Sequence, residues 1–238
     1  MDNAIYASLT RQSGLMREMR VVANNIANAS TPGYRREGVI FAEHLASLDR
    51  SGDTLSMAHA RGRLLDLGQG GLTQTNNRFD LAIEGEGFFL VQTPEGNRLT
   101  RAGAFTPSGE GELMNADGHR LLDEGEAPII VPAGASAVAV APDGTLSANG
   151  VPFGRIGIFN APEGTTPTRQ GGTLFAFEGA PEPVEQASIR QGFLEDSNVD
   201  PIFEITRMIE VQRAYELGAS FLDREDQRIR GALAAMTR

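Results

Sequence analysis

Apolar residues recur every three to four positions at the two ends of the chain and in short alternating runs through its middle, a pattern of two terminal helices around a strand-rich body. At the N-terminal end Ile5, Leu9, Leu15, Met16, Met19, Val22 and Ile26 keep helical spacing, with Asp2 available as the N-cap. The sequence Ser30-Thr31-Pro32-Gly33 then stops the helix, because a residue before proline is pushed out of the helical region. At the other end Asp200 and Pro201 read as N-cap and first helical position, and no proline follows before Arg238. There Ile205, Met208, Gln212, Tyr215, Ala219, Leu222, Asp226, Ile229, Leu233 and Met236 alternate steps of three and four, the spacing of a coiled-coil seam. Such a helix reaches roughly 55 Å at 1.5 Å per residue. That is more than a chain of this size can bury along its whole length, so the helix is expected to need a partner, first of all the N-terminal helix.

Between the ends, two-residue turn signals separate short extended runs: Asp117-Gly118, Asp143-Gly144 and Asn149-Gly150, with Pro94-Glu95-Gly96-Asn97 as a longer fourth turn. These predict antiparallel strands. Residues 37–75 read as a short helix over Phe41–Leu48 followed by an extended connector, and 160–172 as a surface loop. The expected fold class is therefore α+β. Residues 1–36 and 195–238 form a helical, coiled-coil-like domain, 37–75 a connector and 76–194 a mainly antiparallel β body.

Charge refines this division. The net charge is −10, but residues 1–36 carry +3, 195–238 carry −3 and the rest −10, so the two ends are complementary. The acidic balance argues against a nucleic-acid surface. All 21 basic residues are Arg and there is no Cys, which removes lysine-based phosphate and Schiff-base chemistry, thiol nucleophiles, disulfides and Cys-ligated metals. The three histidines, His44, His59 and His119, lie far apart and in no ligand spacing, so no metal or cofactor is expected. Asn115, Asp117, Gly118 and Glu124 overlay part of an EF-hand loop, but Leu113 stands at its first ligand position and the flanks read as strand. Asp80, Glu84 and Glu86 could form a carboxylate pair of glycosidase type, although 31 acidic residues make some clustering inevitable. Polar residues interrupt every early apolar run, and no stretch approaches the roughly 18 apolar residues of a membrane span. No cleaved signal peptide and no membrane insertion are expected. The feature that stands out is the pair of helical stripes, opposite in charge, one of them overlong. It points to a self-assembling or partner-assembling structural protein, ahead of a secreted β-domain binding module that dimerises through its helical ends, with a carboxylate-pair hydrolase third.

Directly after the first helix stands ANNIANASTPGYRR (residues 23–36), which resembles the signature of the bacterial flagellar axial proteins of rod and hook. The blocks FDLAIEGEGFFLVQTPEGNRLTRAGAF (79–105), GELMNADGHRLL (111–122) and GFLEDSNVDPIFEITRMIEVQRAYE (192–216) resemble the same family. The opening and modest length look most like the proximal-rod branch, with the distal-rod branch next. The resemblance implies a non-enzymatic rod subunit of the basal body, exported by the flagellar type III apparatus and polymerising in the periplasm with other rod subunits. It also implies that the assembly seam is carried by Ile5, Leu9, Met16, Met19, Val22 and Ile26 on the first helix. Ile205, Met208, Tyr215, Leu222, Ile229 and Leu233 would carry it on the last. Asn24, Asn25, Asn28, Thr31, Gly33 and Tyr34 are the family-motif positions.

Overall fold

The structure, a computed structural model, describes residues 2–47, 54–135, 137–184 and 187–236; side chains are described from Ser8 onward, except those of 41–63. Two helices flank a β-rich middle, and every strand pairing is antiparallel among the described residues, so the chain is α+β. It divides into two compact units: residues 1–29, 36–66 and 199–238, and residues 30–35 and 67–198.

In the first unit, α1 (Asp2–Ala27) and α2 (Pro201–Met236) pack side by side. They run antiparallel, since Asn25 meets Glu204, Glu18 meets Arg207 and Gln12 meets Tyr215. Asp200 caps α2 as its sequence predicts, its carboxylate accepting the N–H groups of Ile202 (2.9 Å) and Phe203 (3.1 Å). The unit also holds a long hairpin, β1 (Glu37–Ser47) against β2 (Thr54–Leu65), with a bulge at Ile40/Phe41. The expected short helix over Phe41–Leu48 is thus replaced by a strand through Ser47; Leu48 lies outside the described residues. The apolar positions Phe41, Ala42, Leu45 and Ala46 suit helical spacing, but pairing with a separate strand supplies backbone partners that local spacing does not reveal.

The second unit contains the β body. Among the described residues its largest sheet has nine strands, with Phe88–Thr93 at the centre between Gly96–Thr100, Arg120–Leu121 and Ile158–Asn160. A three-stranded meander covers Val138–Val140, Thr145–Ala148 and Val151–Arg155. Leu81–Glu84 pairs with Ser188–Gln191, and Leu72–Gln74 with Phe193–Glu195, so the first and last strands of the body close on each other. Inward residues from these strands form one core of Leu81, Ile83, Phe89, Val91, Phe105, Leu121, Leu146, Ile156 and Ile189, among others, with Phe89 and Phe105 edge to face at 5.5 Å.

The turn signals land where the sequence places them. Asn149 and Gly150 both have positive φ (50° and 85°), the conformation a two-residue hairpin loop needs. In the Asp117-Gly118 turn the Asn115 side chain accepts the backbone N–H groups of Asp117 and His119, so the EF-hand-like segment is a hairpin. The turn at Pro94 is tighter than expected: Thr93 already pairs with Gly96, leaving only Pro94 and Glu95 in the loop. Within 160–172, Asn160 ends the strand Ile158–Asn160, Thr168–Arg169 forms a short edge strand against Leu174–Ala176, and the rest is loop.

Candidate functional site

Residues 23–36 divide their work. In the first unit, Asn25 is fully buried and its amide is used from both ends: Nδ2 donates to the Glu37 carbonyl (2.8 Å) and to the Glu204 carboxylate (3.2 Å), and Oδ1 accepts the Glu37 N–H (3.0 Å). One side chain thereby ties the end of α1 to the start of β1 and the start of α2. Glu204, also fully buried, receives Arg36 Nε at 2.5 Å, and the Arg36 guanidinium lies 5.1 Å from the Phe203 ring. Asn28 closes the helix end by donating to the Asn24 carbonyl (2.8 Å), and Asn24 itself is exposed. Asn25→Ala leaves a buried backbone N–H and C=O without their partner, and thermal or urea unfolding of the purified variant is expected to show a loss of about 2–3 kcal/mol. A loss under about 0.5 kcal/mol would contradict this clamp.

In the second unit the segment 30–35 is held by the β body. The Gly33 N–H donates to the Glu195 carbonyl (2.7 Å), the Tyr34 N–H to the Thr31 carbonyl (3.2 Å) and the Asn198 N–H to the Tyr34 carbonyl (3.3 Å). Gly33 has φ +71°, and a Cβ there would stand 2.3 Å from the Ala102 nitrogen, so only glycine fits. Tyr34 is buried under the Arg169 guanidinium, 4.1 Å from its ring.

Arg35 follows, fully buried, and pairs with Glu195, whose other oxygen takes Arg101 Nη1 at 3.0 Å. Around this triad Arg35 donates to the Gly68 carbonyl (2.8 Å), Arg101 to the Gly85 carbonyl (2.6 Å), and Gly70 N–H to Glu195 (2.9 Å). Burial draws the Arg101 guanidinium below the ordinary arginine range, opposed by the Glu195 carboxylate. The triad joins the segment after α1, the middle of the β body and the strand before α2. Sequence reading missed Arg35, Arg101, Glu195 and Glu204. The available signal was that these charges stand inside otherwise apolar family-like blocks, in GYRR, LTRAGAF, GFLE and PIFE.

The helical stripes are distributed as follows. On α1, Val22 is buried, Met16, Met19 and Ile26 are buried or half-buried and Leu9 is exposed, while the side chain of Ile5 lies outside the described residues. On α2 the covered face runs through Glu204, Met208, Val211, Tyr215, Gly218, Leu222 and Glu225. The sequence-derived stripe coincides with it at Met208, Tyr215 and Leu222. It falls one residue late at Ile205, Gln212 and Asp226, all exposed; Ile229 and Leu233 are exposed as well. Taking an isoleucine as inside and a glutamate as outside produces that offset, and Glu204 reverses the rule because Asn25 and Arg36 satisfy its carboxylate.

Two of the three candidate carboxylates are otherwise engaged, and Glu86 is exposed. Asp80 accepts from Asn77 (2.9 Å), Glu84 pairs with Arg190 (2.8 Å), and among the described residues no group of three His, Asp or Glu is placed to hold a metal ion. No helix is long and apolar enough to cross a membrane among the described residues.

Residues 5–35 match the family profile described as flagella basal body rod protein. Residues 82–148 match the flagellar hook protein FlgE/F/G D1 domain, and 190–234 the flagellar basal body rod FlgEFG protein C-terminal region. The flagellar basal-body rod protein FlgF of Caulobacter vibrioides is 40% identical, over 98% of this chain and 97% of that protein. The chain belongs to the flagellar basal-body rod protein family. Within it, FlgF of Salmonella typhimurium is 34% identical over 95% of both chains, whereas the rod protein FlgG of Agrobacterium fabrum is 29% identical over 94% of this chain and 95% of its own. The chain is therefore a FlgF-like structural rod protein, as its opening and modest length implied, with FlgG the next resemblance. The profile ending at residue 35 contains Asn25, Gly33, Tyr34 and Arg35, the D1 one contains Arg101 and the C-terminal one contains Glu195 and Glu204, while Arg36 and Glu37 lie just beyond the first.

Proposed function

We propose that this chain is a subunit of the proximal part of the flagellar rod, delivered by the flagellar export apparatus to the periplasm. There it polymerises with itself and with other rod subunits through a coiled-coil-like pairing of its terminal helices. The observation that carries the reading is the near full-length likeness to FlgF proteins, combined with an antiparallel helix pair in which α2 is about 15 Å longer than α1. An exposed apolar stripe on that excess length makes sense in a polymer, where neighbours bury it. No enzymatic role is assigned, since the buried clusters act structurally: their charges are paired with each other, away from solvent.

Deleting the gene and purifying basal bodies tests this. Truncated rods, restored by complementation, with this chain present in wild-type particles by mass spectrometry, are the expected result. Full-length rods lacking the chain, together with normal swimming, would reject it. A rod arrested at its distal rather than its proximal segment would favour the distal, FlgG-like position.

A further inference from the structure

Two apolar patches on α2 lie at opposite ends and on opposite sides of the helix. The antiparallel register set by Asn25–Glu204, Glu18–Arg207 and Gln12–Tyr215 brings the start of α1 to the neighbourhood of Asp226. Beyond it the covered stripe of α2 continues as Ile229, Leu233 and Met236, within roughly 40° of Val211 around the helix, but Leu233 is 58% and Met236 85% exposed. At the other end Ile202, Ile205 and Ile209 lie roughly 120–180° from Val211, on the far side from α1, and all are exposed, Ile202 to 78%. Three isoleucines within three turns facing water are unusual for a helix whose other face is already covered.

We propose that these two patches bind each other between copies: the Ile229, Leu233 and Met236 end of one chain seats on the Ile202, Ile205 and Ile209 face of a second copy. The inference rests on the rod-subunit reading and names which surfaces meet. Charge agrees with it: with Glu204 buried, the remaining charged residues of 200–210, Asp200, Arg207 and Glu210, sum to −1, and residues 224–236 carry +1. Location agrees too. Two different patches on one chain make a head-to-tail contact, which leaves a free patch at each end and so adds further copies until its rotation closes a ring, whereas a self-complementary patch would stop at a dimer. Three side chains per copy fall short of the roughly 1,000 Å² that a stable pair needs, so the contact acts only where a growing polymer adds other contacts to it.

The test uses the full-length chain in cells lacking the wild-type copy, with three variants: Leu233→Asp, Ile205→Arg and the two combined. Both positions are exposed, so each single variant should keep the wild-type helix content and melting temperature. Each should lower the amount of chain in purified basal bodies at least about ten-fold, and the double variant, with opposite charges at the contact, should recover to within about three-fold of wild type. Full incorporation of either single variant overturns the proposal. So does loss in both singles without recovery in the double, which would mean that the patches meet other subunits rather than each other. Absence of the wild-type chain from basal bodies would instead overturn the rod-subunit reading itself.

Discussion

Glu195→Ala is expected to lower the stability of the β body by about 3–5 kcal/mol, enough to unfold much of it at 37 °C, because it strands two buried guanidinium groups. Arg35 and Arg101 both bind this one carboxylate, and neither has more than 3% of its surface exposed. Three of their nitrogens, Arg35 Nε and Nη2 and Arg101 Nε, find no hydrogen-bond partner among the described residues, so the pairing to Glu195 carries the neutralisation of the site. Removing all three charges together, as Arg35→Met, Arg101→Met and Glu195→Leu, is expected to be far milder than the single change, since a buried ion cluster contributes little beyond its own desolvation. Urea unfolding of the wild type, Glu195→Ala and the triple variant decides it. If Glu195→Ala loses less than about 1 kcal/mol, the triad is not the joint that holds segment 30–35 in the β body.

Leu222→Asp is expected to abolish rod incorporation and swimming while the β body stays folded. Leu222 sits half-buried on the covered face of α2, where sequence stripe and structure coincide, and a carboxylate there is partly withdrawn from water at a cost. The core of the β body lies wholly in the other unit and contains no residue of α2. The variant should therefore keep the strand signal and the cooperative transition of the body by circular dichroism, lose part of its helix signal, and vanish from purified basal bodies. Wild-type motility in Leu222→Asp would remove α2 from the assembly seam. Unfolding of the β body as well would show that the two units do not fold separately.

Elements with a local cause were legible in the sequence. Pro32 and Gly33 stop α1, Asp200 and Pro201 start α2, and Asn149-Gly150 makes its hairpin, because each depends on the φ and ψ range of one or two residues. The family motif was legible as a string, yet its two roles were not: Asn25 serves the helix pair, and Gly33 to Arg35 serve the β body. Nothing in so short a run shows which partners lie 160 or 179 positions away.

Hydrophobic spacing, turn chemistry and charge along this chain were enough to determine two terminal helices and an antiparallel β middle and to put a structural, assembling role first. The tertiary structure decided the rest: that 41–47 is a strand and not a helix, that Glu204 rather than Ile205 faces inward, and that Arg35, Glu195 and Arg101 share one buried site. The physical reason is the same in each case. Whether a polar group can be buried, or a segment extended, depends on the partners its backbone and side chains find. Here those partners come from other segments of the chain, where local periodicity carries no information.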